Sequence, residues 1–276
     1  MSRLNVQKTL KMYVGGKFIR SESGRTTPLT LPEGTVIHVA NASRKDLRDA
    51  VGTARKAQPG WASRTAYNRG QILYRLAEIL DDRSAVLGDG AASAADRAVH
   101  LAGWSDKITA VLSTLNPVGG TYVNYSRIRP LGVVVAAPDP ADGLLGMVDT
   151  LCSIAVMGNS GIVCVPTEQA PTAIALAEAL AVSDFPAGVI NILTGDVASL
   201  VDVVNILDDV DGLLLPGASG ELDRVGVDAA AAGVMRRVVR VSGADSPMNP
   251  LSLQRLAEVQ TVWMSAYEPA GGASTY

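Results

Sequence analysis

Residues 132–165, GVVVAAPDPADGLLGMVDTLCSIAVMGNSGIVCV, decide the fold. Two short runs, GVVVAA and GIVCV, are β-branched and apolar throughout, and GLLGMVDTLCSIAVM, a segment of helical length, separates them. A strand with no polar alternation has to be buried on both faces, which marks parallel strands covered by helices. Downstream the rhythm continues: APTAIALAEALAVS reads as a helix, GVINIL as a strand, VASLVDVVNIL as a helix, VDGLLL as a strand, SGELDRVGVDAAAAG as a helix and RRVVRV as a fifth strand. Strict alternation over five strands implies an α/β fold, a doubly wound parallel sheet of the Rossmann-like kind.

Upstream the pattern differs. MYVGGKFI reads as a hairpin turning at Gly15-Gly16, and TVIHVAN as another short strand. Ser43 is placed to cap a helix that carries Leu47, Val51 and Ala54 at helical spacing. A second helix puts Ile72, Leu73, Leu76, Ile79 and Leu80 on one stripe, and a third is expected from Ala94 through Leu115, ending before Asn116-Pro117. In NPVGGTYVNYSRIRPLG, Tyr122, Asn124, Ser126 and Ile128 alternate with Val123, Tyr125 and Arg127, as in an exposed β-ribbon. QTVWMSAY, near the carboxyl terminus, reads as a strand without an obvious partner in the sheet. Lone ribbons are marginal in water, so both segments are expected to pack on something.

Composition narrows the function classes. The 276 residues suit one large domain or two modest ones at roughly 100–200 residues each. A net charge of −3 leaves no basic footprint, and 4% aromatic residues offer few stacking platforms, so nucleic acid is not an expected partner. Cys152 and Cys164 fall in a helix and a strand among apolar neighbours, as packed thiols would. The opening residues lack the apolar core of a signal peptide, and no apolar run reaches the roughly 20 residues of a membrane span. The expectation is a cytoplasmic protein with no membrane partner.

Ligands of a doubly wound sheet sit beyond the carboxyl ends of its strands. The first such turn is APDPADG, acidic and proline-rich. The second is Pro166-Thr167-Glu168, where Glu168 suits either ribose hydroxyls or a plain surface position beside a helix N-terminus. The third holds Gly195, and the fourth, PGASGE, holds Gly217 and Gly220, where backbone can approach a pyrophosphate or simply enter a helix. Glu168, Gly195 and Gly217 are thus the cofactor-binding candidates. His38 and His100 lie far apart, and HExxH, CxxC and Walker A patterns are absent, so no metal site and no catalytic residue is assigned.

Taken together, YVGGKF, the NP-ribbon-PLGVV passage, GNSGIVCVPTEQAP, FPAGVINILTGD and VDGLLLPGASGELDRV follow the order seen in aldehyde dehydrogenases, and the chain resembles that family over nearly its whole length. The resemblance implies an NAD(P)-binding α/β domain, a catalytic domain carrying a cysteine, and a bridging β-arm that builds oligomers. AGWSDK and NPVGGTYVNYS are similar to a branch with catalytically dead members. Carried over by position, the family's oxyanion-holding Pro-Trp-Asn becomes Pro138-Asp139-Pro140, its ribose-binding lysine becomes Val165, and its Thr-Gly-Ser pyrophosphate turn becomes Pro216-Gly217-Ala218. Its general-base glutamate becomes Val241. After Ser246-Pro247 the sequence runs straight into a stretch resembling the family's last arm strand, so the catalytic domain is expected to be missing. The expected organisation is an α/β domain from 1–116 and 132–247, with 117–131 and 248–276 as β-arm. The expected role is a non-catalytic subunit whose arm, with Tyr122, Tyr125 and Trp263 as anchors, joins a full-length aldehyde dehydrogenase in a hetero-oligomer. An NAD(H)-binding regulatory subunit is the alternative, with NAD as its cofactor, and an active aldehyde oxidoreductase the third reading.

Overall fold

The computed structural model of this chain describes residues 7–216, 222–241 and 249–266. Strands β1 (Thr9–Leu10), β2 (Met12–Val14), β3 (Lys17–Ile19), β4 (Thr26–Thr30) and β5 (Val36–Ala40) come first. Helices α1 (Arg44–Ala62), α2 (Ala66–Asp82), α3 (Ser84–Leu87), α4 (Ala91–Ala102) and α5 (Ile108–Leu112) lead into β6 (Thr114–Asn116) and β7 (Tyr122–Pro130). The alternating half runs β8 (Val133–Ala136), α6 (Gly143–Val156), β9 (Ser160–Val165), α7 (Ala170–Leu180), β10 (Ile190–Thr194), α8 (Val197–Val204), β11 (Gly212–Pro216), α9 (Arg224–Gly233) and β12 (Arg237–Val241). Helix α10 (Pro250–Gln254) and β13 (Ala257–Ser265) follow.

The five expected strands are parallel and lie in the order β12-β11-β8-β9-β10. The order reverses at β8, which has β9 on one side and β11 on the other; such a switch point opens a crevice at the carboxyl ends. Successive side chains go to opposite faces. Val134 and Ala136 meet α2, α4, α6 and α7, whereas Val133, Val135 and Ala137 meet α1 and α8. Both faces are therefore covered, as the unalternating apolar runs require. The Gly15-Gly16 hairpin forms, with both glycines at positive φ (61° and 76°), and β2 extends the sheet antiparallel to β10.

Local chemistry explains the flanking helices. The Ser43 hydroxyl accepts from Asp46 N (3.2 Å) while the Asp46 carboxylate accepts from Ser43 N (2.8 Å), a reciprocal capping box. The same carboxylate accepts from Ser21 Oγ (2.6 Å), tying α1 to the strand region before it. Trp61, fully buried near the end of α1, donates to Ala155 O (2.9 Å) and stacks on Phe185.

Two sequence expectations are corrected. The third helix is broken: Gly103 N bonds Val99 O, the chain turns through Trp104–Lys107, and α5 starts with Ile108 N on Trp104 O. The turn lets Leu101 and Ile108 enter one core from different directions. Thr114 and Leu115, assigned to that helix, belong with Asn116 to β6 instead, because Asn116 reaches Asn124 and Ser126 (2.9 Å to Ser126) across the neighbouring strand. The ribbon and the orphan strand are partners: β13 pairs antiparallel with β7 from Ala257↔Pro130 to Ser265↔Tyr122, giving a three-stranded arm sheet β13-β7-β6. The stem of this arm is fixed by Asn159, fully buried, which accepts from Gly132 N (2.9 Å) and donates to Leu256 O (2.8 Å). Helix α10 belongs with the body, since Leu253, Leu256 and Ala257 join its core.

Candidate functional site

The crevice predicted by the strand order lies beyond β8, β9 and β11. After β8 the chain makes a tight turn in which Asp139 caps Ala141 N (2.9 Å) and Gly143 takes φ 52°. That turn is held down from the side: the Gln169 amide, in the 3-10 turn Thr167–Gln169, donates to Pro140 O. Between the Asp139 turn, α6 and the ends of β11 and β12 remains a hollow of about 20 Å³, lined by Asp139, Asp142, Asp149, Thr150, Leu215 and Val241 among others, room for about one water. Gly146 stands where a Cβ would come within 2.5 Å of Asp142 Cβ, so the α6 entrance is closely packed.

Of the cofactor-binding candidates, neither Glu168 nor Gly195 lines this hollow. Glu168 is exposed at the start of the segment leading to α7, and its carboxylate makes no hydrogen bond to the described residues. Gly195 ends β10 at φ 138°, and an added Cβ would meet Asn41 Oδ1 at 2.4 Å. Its missing side chain accommodates the Asn41–Ala42 segment, which Ala42 N fastens to Thr194 O (2.8 Å). Gly217 and the Ser246-Pro247 join lie outside the described residues. Val241, at the general-base position carried over by resemblance, does line the hollow, as does Asp139. Val165, at the ribose-lysine position, is fully buried in β9.

Neither thiol is a nucleophile in this arrangement. Burial pushes the Cys164 thiol up to about 12, and Cys152 is raised further by burial and by the nearby Asp149, against a lowering by Arg97. A thiol needs the thiolate form to attack, and desolvation disfavours it. The sign follows: because native ionisation is suppressed, these thiols favour the folded state below the unfolded pKa near 9, and that advantage is lost as pH rises from 9 towards 12. At pH 8 a thiol reagent is expected to label neither cysteine in the native protein and both in denaturant; rapid native labelling would contradict the burial.

The sequence reading missed the ion pair behind the hollow. Arg97 in α4 and Asp149 in α6 meet at 2.7 Å with both side chains about nine-tenths buried. Arg97 sits on the apolar stripe of Ala94, Ala98 and Leu101, and a charge on such a stripe is the signal that it has a buried partner.

The aldehyde dehydrogenase family model matches residues 18–249. This chain belongs to the aldehyde dehydrogenase family. The cytosolic aldehyde dehydrogenase 1 of Elephantulus edwardii is 30% identical over 272 residues, covering 90% of this chain and 52% of that protein. The fold likeness is close: an aldehyde dehydrogenase variant from Bacillus cereus superposes with TM-score 0.78 at 21% identity over 86% of this chain and 51% of its own. The NAD+ complex of the aldehyde dehydrogenase from the same organism gives 0.75 at 20% identity, over 84% and 50%. The chain spans about half the length of the curated relatives it matches.

An aldehyde dehydrogenase fold implies a dinucleotide at the carboxyl ends, and the described residues there do not fit one. A dinucleotide pyrophosphate calls for donors and positive potential; the hollow instead collects Asp139, Asp142 and Asp149. Val165 presents a buried methyl pair in place of a cation. Among the described residues no group of three or more His, Cys, Asp or Glu is arranged to hold a metal ion.

Proposed function

We propose that this aldehyde dehydrogenase family member is a non-catalytic subunit that assembles in the cytoplasm with a full-length family member through its arm. The observation that carries the reading is the tip of the arm sheet, where apolar side chains are exposed on both faces. Leu115 is 76% exposed, Trp263 62% and Met264 52%, so large apolar side chains stand in water on a sheet that has only three strands. Tyr122 and Trp263 share one face, edge to face at 6.2 Å, while Val123, Tyr125, Val262 and Met264 share the other. Exposed patches of this kind mark protein interfaces, and among the described residues no strand pairs with the outer edge of β13, which leaves it to another chain's strand. The buried thiols and the aliphatic Val241 support the absence of aldehyde oxidation by this chain.

The test is native mass spectrometry of the tagged protein recovered from its own cells, with aldehyde-dependent NAD+ reduction assayed on the isolated chain. A fixed-stoichiometry complex with a full-length aldehyde dehydrogenase, lost on Trp263→Ser, supports the subunit role. Recovery as a monomer, or turnover by the isolated chain, overturns it. Tight NAD(H) binding by the isolated chain would favour the regulatory alternative, for which the free carboxylate of Glu168 is the supporting feature.

A further inference from the structure

At the end of the sheet opposite the hollow, where β7 gives way to β8, the surface holds a cavity of about 670 Å³. That volume lies in the range of small-molecule sites. Its walls come from three sources: the carboxyl-terminal half of α1, the start of α2 with α5, and the base of the arm. Ile108, Val156 and Met157 give it an apolar floor, and four arginines, Arg55, Arg69, Arg127 and Arg129, are among its lining residues.

The charge of this ring is not balanced locally. Arg55 is ion-paired with Asp211 at 2.7 Å. Arg69, Arg127 and Arg129 have no carboxylate within 4.0 Å among the described residues. Arg69 spends one donor on the backbone carbonyl of Arg64 (2.7 Å), and burial lowers its pKa. Arg127 and Arg129 both donate to one neutral acceptor, Gln260 Oε1, at 3.0 and 3.2 Å. The carboxylate across the strand from Arg129, Glu258, is taken by Arg237 at 2.8 Å. The wall is also short of acceptors, because the Nε–H groups of Arg55 and Arg69 are buried with no partner. Like charges sharing one neutral oxygen lower the cost of bringing in an anion.

We infer that this cavity binds an organic diphosphate, with the phosphates on the arginine ring and the organic body on the Ile108–Val156–Met157 floor. Three unpaired guanidinium groups match a diphosphate's roughly three negative charges, and the planar fork of arginine reads phosphate oxygens in pairs. The volume is several times what a lone phosphate fills, so the body belongs to the recognition. Because the walls come from α1, α2 and β7 together, an occupant also braces the arm against the body. The inference does not depend on the identity of the arm's partner.

The experiment is calorimetric titration of the full chain with ADP, adenosine and inorganic pyrophosphate, on the native protein and on two variants. Arg127→Gln/Arg129→Gln changes two exposed side chains and leaves the core untouched; Glu168→Ala probes the turn beyond the carboxyl end of β9. ADP is expected to bind saturably, adenosine not at all, and pyrophosphate more weakly than ADP. The double arginine variant should weaken ADP by about tenfold or more, and Glu168→Ala should leave it unchanged. No ADP binding at millimolar concentration, equal binding of adenosine, or ADP binding that survives the arginine changes but is lost in Glu168→Ala would each overturn the inference.

Discussion

The body and the arm of this protein are both β-sheets, but they are stabilised in opposite ways. In the body, β8 and β9 are apolar at almost every position and covered on both faces, so the helices supply the burial that holds them. In the arm, β7 and β13 hold together by their ladder and by polar cross-strand pairs, including Ser126 with Thr261 and Arg127 with Gln260, while the apolar side chains at the tip remain in water. The central strands of one sheet are covered on both faces by the chain's own helices. The other spends its apolar surface outward, which is the physical form of a surface awaiting a partner.

The largest expected effect tests the completeness of the body. Asp149→Ala leaves Arg97 charged and buried without its 2.7 Å partner, and equilibrium denaturation should show a loss of about 3–5 kcal/mol. A loss below about 1 kcal/mol would mean that water or another partner compensates Arg97. Leu151→Ala, at a fully buried position of α6, should cost about 3 kcal/mol by cavity formation. At the junction, Asn159→Ala removes both the acceptor of Gly132 N and the donor to Leu256 O; a loss of about 2 kcal/mol is expected, with faster amide exchange at Gly132 than in β9. The smallest effect belongs to the arm: Trp263→Ser should shift the isolated chain by no more than about 0.5 kcal/mol while abolishing assembly. A large stability loss there would mean that the arm is packed on its own body, and the contrast between the two sheets would collapse.

The body was legible because its signals are local. Runs such as GVVVAA and GIVCV declare burial on both faces without reference to the rest of the chain, and the Ser43–Asp46 cap is readable from four residues. The arm was only half legible. The alternation around Tyr122–Ile128 identified a strand, but nothing in QTVWM named its partner, because that pairing is set by tertiary closure through Asn159 and not by a turn. The third helix breaks at Gly103, where Gly103-Trp104-Ser105-Asp106 is a weak helix former, and the core that Leu101 and Ile108 share favours the turn. At the candidate site, the sequence located the turns but not their contents. Glycine at 195 reads as room for a ligand until Asn41, far away in sequence, is found in that room.

The pairing of β7 with β13 also has a history in time. Ser126 and Thr261 touch across 135 residues of chain. On a ribosome β7 emerges long before β13, and at roughly 5–20 residues per second the wait is of the order of ten seconds. For that interval Tyr122–Pro130 presents an unpaired edge and exposed aromatic groups, while the α/β unit behind it can already fold. The arm is then the last part of the described structure to close, and its exposed edge is when a nascent chain is most open to capture by another subunit or to misassociation.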